Sequence, residues 1–278
     1  MDGSGGPPLC FPNLNSSCRR LLRPTSQAAL LYTLMASVSL LTVVLNLLVV
    51  VSISHFKQLH TPTNTLLLSL AMSDLLVGLL VMPIEGLRYI ETCWLLGRLM
   101  CALSPYLSYC LLSVSLGSMV LISVDRYIAI CDPLLYSSKI TVNRVKLSVC
   151  VCWAFSLLYN GCILMEHLGW PDRLSSCHGE CVVFISRTSG TVDFFLSFVG
   201  PCGVMFVLYM RVFVRCCFSG DDTSMSLPYY TLLFWMVLTS SCVNPVIYVL
   251  FYLWFRRAIR FIVTLRILQP HSREVNIL

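Results

Sequence analysis

Six long apolar runs, each closed by a short polar stretch, set the pattern of the chain: 28–53, 64–90, 101–130, 147–165, 191–214 and 227–254. A helix of about 20 apolar residues crosses a bilayer once. The predicted architecture is therefore an all-α membrane protein with six spanning helices, an N-terminal tail over 1–27 and a C-terminal tail over 255–278. Residues 1–8 are rich in Gly and Pro and lack a signal-peptide pattern, so the first run is read as a retained helix.

Composition agrees. The chain is 57% hydrophobic and 12% charged, against about 25% charged in a soluble domain. The net charge of +6 sits at helix ends rather than in a nucleic-acid patch. Lys57, Arg126, Lys139, Arg144, Lys146, Arg211 and Arg215 fall in loops on one side. The other loops hold Arg88, Arg98, Arg173 and Arg187, diluted by Glu85, Glu91, Glu166, Asp172 and Glu180. The positive-inside rule then puts the N-terminus outside, although Arg19, Arg20 and Arg23 oppose it.

Of fifteen cysteines, Cys110, Cys150, Cys152, Cys162, Cys202 and Cys242 lie within apolar runs as small hydrophobes. Cys10, Cys18, Cys101, Cys177 and Cys181 fall on the outer side, where oxidation is permitted, with Cys93 as a sixth candidate. Zinc is the rival reading of Cys177, His178 and Cys181, but the spacing matches common zinc motifs poorly, and no metal site is expected. Asn15-Ser16-Ser17 is an N-glycosylation acceptor if the tail is outside. Asn46 and Asp74 interrupt otherwise apolar spans. A carboxylate in hydrocarbon costs at least about 2.5–3.5 kcal/mol, so Asp74 is read as an ion or switch site, with a protonated, hydrogen-bonded Asp74 as the alternative. No nucleophile–base pair or metal-ligand set points to an enzyme, and no matching halves point to a transporter.

Asp125-Arg126-Tyr127, at the inner end of the third run, can serve as an interfacial anchor. The longer DRYIAICDPLLY, however, resembles the rhodopsin-like G-protein-coupled receptors. Other residues fall into line in order: Asn46, LAMSDLL with Asp74, Trp153, Pro201 and Tyr209, and Asn244-Pro245-Val246-Ile247-Tyr248. Within that superfamily the chain resembles the trace-amine-associated receptors, of the fish-type olfactory kind. CFPNLNSSC at 10–18, HFKQLHTPTNTLLLSLAMSDLLVGLLVMP at 55–83, CHGEC at 177–181 and FYLWFRRA at 251–258 carry the likeness, the last with Leu253 where the family has proline.

The resemblance implies a multi-pass plasma-membrane receptor, in contact with lipid, that binds a small amine and couples to a heterotrimeric G protein; no nucleic acid is expected. Asp125, Arg126, Tyr127, Tyr209, Asn244, Pro245 and Tyr248 would form the coupling switch, and Asp74, Asn46 and Asn244 a polar core able to take Na+. It also implies a Cys101–Cys181 bridge and a bridge from Cys177 to Cys10 or Cys18. The family's usual amine counter-ion lies seven residues after the outer cysteine, where this chain has Ser108, which cannot neutralise an ammonium. Asp193 is the replacement: apart from Asp74 it is the acid counted within a span, and some fish-type members carry their amine-binding acid there. A solvated Asp193 at the headgroup boundary is the alternative. Tyr106, Tyr109, Phe194 and Trp235 are candidates for cation–π contact, with lipid-facing or interfacial roles as the alternative.

One family element is not found. Between Tyr209 and Asn244 stand 34 residues, too few for the end of one span, an inner loop, a whole span and the start of another. The family's sixth helix and third inner loop are expected to be missing between 215 and 225. Six plain crossings would leave Arg256, Arg257, Arg260, Arg266 and Arg273 outside, whereas resemblance puts that tail in the cytoplasm. Since activation in the family swings the sixth helix away from the third-helix arginine, impaired signalling is expected. Retention in the endoplasmic reticulum would follow from misassembly. The alternative is a non-signalling truncated isoform or pseudogene product acting as a membrane interaction partner.

Overall fold

The computed structural model describes residues 8–14, 16–20, 23–170, 175–183, 185–218, 253–264, 267, 269 and 272–275. Within these, five helices are long and apolar enough to cross a membrane. They are α1 (Thr25–His55), α2 (Pro62–Ile90), α3 (Gly97–Cys131), α5 (Val142–Ile163) and α7, which runs without a break through Arg187–Asp193, Phe194–Val199 and Gly200–Phe218. Short helices α4 (Pro133–Lys139) and α6 (Met165–Gly169) join them, and α8 (Leu253–Val263) follows near the C-terminus. This is an α-helical membrane bundle. The expected sixth run, 227–254, lies outside the described residues except at its end, where Leu253 and Trp254 open α8. The expected C-terminal tail therefore begins as an amphipathic helix.

Local chemistry sets several boundaries. Thr61 caps α2 by accepting from the Asn64 N–H (3.3 Å), with Pro62 fixing the first turn, and Ser186 caps α7 through the Ser189 N–H (3.1 Å). The helices overrun their apolar runs, since polar ends such as Arg187–Gly190 can still turn in the headgroup layer. Two wide π-type stretches, Val77–Val81 in α2 and Phe194–Val199 in α7, shift the face that the following turns present.

The lengthwise order of contacts defines two ends. Val49, Ile53, Phe56, Leu59, Leu67 and Ala71 bury the apolar face of α8 through Trp254, Phe255 and Ala258. At the same end Thr63 meets Asp125, and α7 leaves the bundle nine residues beyond Tyr209, which bonds Ser123 (3.3 Å). Lys57, Arg126, Lys139, Arg144, Arg211 and Arg215 cluster there, making it the inner end. Phe218, the last described residue of α7, and Leu253, the first of α8, thus belong to the same end of the bundle. Mid-bundle, Leu70, Leu116, Met119 and Met205 join α2, α3 and α7, beside a polar seam of Ser69, Ser118 and Trp153 Nε1.

Candidate functional site

The outer mouth is closed by a cap. Tail residues 8–20 are fastened to both outer loops by Cys10–Cys93 and Cys18–Cys177, and the second outer loop is fastened to α3 by Cys101–Cys181. All three Cα separations, 5.6, 5.1 and 5.7 Å, suit a bridge. The choice between Cys10 and Cys18 for Cys177 thus falls on Cys18. Backbone bonds reinforce the clasp: the Cys18 N–H donates to His178 O (2.9 Å), the His178 N–H to Ser16 O (2.8 Å) and the Trp94 N–H to Gly179 O (2.7 Å). Gly179 has φ of +101°, and a Cβ there would meet the Cys10 Cβ at 3.1 Å, so glycine is required twice over. Arg20 pairs with Glu91 (2.8 Å), and the Tyr32 hydroxyl donates to the same carboxylate (2.6 Å). That donation, with Arg20 adding and burial opposing, holds the Glu91 carboxyl below its ordinary 4.5. Cys18, Cys177 and Glu180 lie close together, but both sulfurs are spent in their disulfide and offer no thiolate to a metal. A cleft of about 660 Å³ opens among Phe11, Trp94, Leu95, Arg98, His178 and Glu180, within the cap.

Beneath the cap stands Asp193, on α7, at 9% exposure. Its Oδ1 accepts from Ser197 Oγ (2.7 Å), and no cation pairs with it among the described residues. Its field reaches Tyr109 on α3 and Tyr159 on α5. Ser108 turns its hydroxyl back onto the Ser104 carbonyl (2.8 Å), which occupies its one donor. Of the two roles the sequence left open for Phe194, its 55% exposure and its stacking on Phe198 (centroids 5.8 Å) favour the lipid-facing one, since the residue next to a buried one on a helix points about 100° away. Trp235 lies outside the described residues, as does Asn15.

Two further groups belong here. Glu85, counted above with the outer loops, lies within α2, where it accepts from Ser104 Oγ (2.5 Å) and Arg88 (3.3 Å). Arg88 also donates to Cys181 O (3.1 Å), so this pair ties α2 to α3 and to the second outer loop. The signal was an acid inside the run 64–90, three residues before an arginine. Tyr159, in an apolar run, carries a buried hydroxyl that makes no well-formed hydrogen bond, although Asp193 and Ser197 lie within its reach. Its only mark in the sequence is its position beside Asn160.

In the middle of the bundle Asp74 is fully buried and accepts from Ser115 Oγ (3.1 Å), which also bonds Ser73 Oγ (2.9 Å). Asn46, also fully buried, donates to Thr42 O (3.0 Å). At the inner end, Asp125 is the centre of a closed cluster. It accepts from Arg126, from Thr63 Oγ1 (2.9 Å) and from the Tyr136 hydroxyl (3.0 Å). Burial above all, with Asp125 adding and Thr63 opposing, pushes the Tyr136 phenol above its ordinary 10.0. Tyr127 is half-buried beside this cluster in sequence, while Asn244, Pro245 and Tyr248 lie outside the described residues.

Residues 45–225 match the family of 7 transmembrane receptors (rhodopsin family). The chain is 33% identical to trace amine-associated receptor 13c of Danio rerio, over 97% of this chain and 96% of that receptor. It is 31% identical to trace amine-associated receptor 5 of Rattus norvegicus, over 100% and 98% respectively. With trace amine-associated receptor 6 of Homo sapiens it shares 32% over 97% and 95%. The chain belongs to the trace amine-associated receptors. As such it is a multi-pass plasma-membrane G-protein-coupled receptor of rhodopsin-like fold, and not an enzyme. The alignment with the Danio rerio receptor runs over 326 positions against 278 residues here, so at least 48 positions (326 less 278) hold no residue of this chain.

Proposed function

We infer that this chain binds small amines through Asp193 and does not activate a G protein, because the family's sixth helix and third inner loop are missing. The observation that carries the first half is a carboxylate nine-tenths buried under the cap, with no described cation beside it. An unpaired buried carboxylate is costly, and a protonated amine relieves that cost. Tyr109, near Asp193 on the facing wall, supplies an aromatic surface for the ammonium. Ser108 lines that wall without charge. The Asp74 seam, oxygen-rich through Ser73 and Ser115, suits a hard cation such as Na+, with the buried Asn46 as a further oxygen donor; Asn244 enters this reading from the sequence alone.

Chain length supports the second half. Two helical spans need about 40 residues before any loop, whereas segment 219–252 has 34 and must return to the end it left. One helical crossing leaves about 14 residues, which reach roughly 46 Å when extended, enough for a non-helical return. Backbone of that kind is tolerable only where protein shields it. The 48 or more unmatched positions are about the size of one span with a loop. The cluster of Asp125, Arg126, Thr63 and Tyr136 then has no moving sixth helix to open it. Cells expressing only these 278 residues should show no concentration-dependent cAMP rise with amines. Inserting the unmatched segment of the Danio rerio receptor after Phe218 should restore one. A rise from the uninserted chain would sink the non-signalling reading.

The shortness of 219–252 also favours a second reading, a non-signalling partner that holds intact receptors through helix packing. Co-expression with an intact receptor separates the two, since only this reading changes that receptor's surface level.

A further inference from the structure

A buried hydroxyl without a partner is rare, because leaving it unsatisfied sacrifices hydrogen bonds available in water. Tyr159 has a hydroxyl of this kind, with no well-formed bond. Its ring is held by stacking on Phe155, with centroids 5.5 Å apart and planes 12° from parallel. Asp193 and Ser197 lie within hydrogen-bonding reach of that hydroxyl, though neither forms a well-aligned bond with it. Ser197 already donates to Asp193 Oδ1, which leaves Oδ2 as the open oxygen of the carboxylate. A cation arriving at Asp193 therefore meets two acceptors, Oδ2 and the Tyr159 oxygen, whose own hydrogen can turn to the carboxylate or to Ser197.

A primary ammonium has three N–H donors and can satisfy both acceptors with one to spare. A tertiary ammonium has one, spends it on Asp193, and presses a methyl group against the Tyr159 oxygen. We propose that Tyr159 makes the site selective for primary over tertiary amines by accepting a second ammonium hydrogen bond beside Asp193. This rests on Asp193 as the anchor. One hydrogen bond to a charged group is worth roughly a factor of ten in affinity.

The test uses the full chain in lipid nanodiscs, with direct binding of hexylamine, N-methylhexylamine and N,N-dimethylhexylamine, each variant first matched to the parent by size-exclusion profile. In the parent, affinity should fall about tenfold from the primary to the tertiary amine. Tyr159→Phe should weaken hexylamine about tenfold without weakening the dimethyl compound, erasing the difference. Equal weakening of all three probes, or of none, overturns the proposal. Ser197→Ala is independent of the tyrosine's folding role: by freeing Oδ1 it should strengthen the primary amine more than the tertiary, and an equal change counts against the proposal. Asp193→Asn tests the underlying reading separately. Loss of all three probes upholds the anchor, whereas unchanged binding removes the anchor whatever Tyr159 does.

Discussion

Asp193 and Phe194 are neighbours in sequence, yet one is 9% exposed and the other 55%. That contrast fixes which of the two can touch a ligand. Asp193→Asn should lower amine affinity at least tenfold, since the cation would lose its charged partner. Phe194→Leu should leave it within about twofold, because an apolar lipid-facing exchange alters no contact in the site. Nanodisc binding checks both, and a larger effect from Phe194 would mean that α7 is rotated from the orientation described. The acid was legible in the sequence as a charge inside an apolar run. The facing of Phe194 follows from the ordinary 100° step once Asp193 is known to be buried, and that burial is what the sequence alone left open. Glu85 was missed because it was assigned to an outer loop, and its facing was harder still to read. Val77–Val81 carries a wide π-type turn, so counting from Asp74 does not show that Glu85 reaches Ser104.

Among the elements, α8 shows how a surface helix is held. Its arginines 256, 257 and 260 are exposed, while Trp254, Phe255 and Ala258 are sunk into the inner ends of α1 and α2. Phe255, at 0% exposure, is the deepest anchor. Phe255→Ala should cost about 3–5 kcal/mol through lost burial and the cavity left behind. Arg256→Ala should stay within about 0.5 kcal/mol. Thermal unfolding of the detergent-solubilised chain distinguishes them, and equal shifts would contradict the packing of α8 on α1. Five spans were readable from apolar runs because hydrocarbon imposes the same length on each. The helix after them was not, since eleven residues with three arginines read equally well as a basic tail.

For the whole molecule, the inner-end position of α8 bears on topology. A C-terminal epitope tag should stain only after permeabilisation, and staining of intact cells would support six plain crossings with the tail outside. The outer cap carries a different consequence, for biosynthesis. Cys10 must wait for Cys93, 83 residues later, and Cys18 for Cys177, 159 residues later. At about 5–20 residues per second these delays are roughly 4–17 s and 8–32 s. Until Cys93 arrives, the thiols of Cys10 and Cys18 stand close along the nascent tail, in a compartment that oxidises them. A Cys10–Cys18 pairing formed during that wait would have to be undone by thiol–disulfide exchange before the mouth could close.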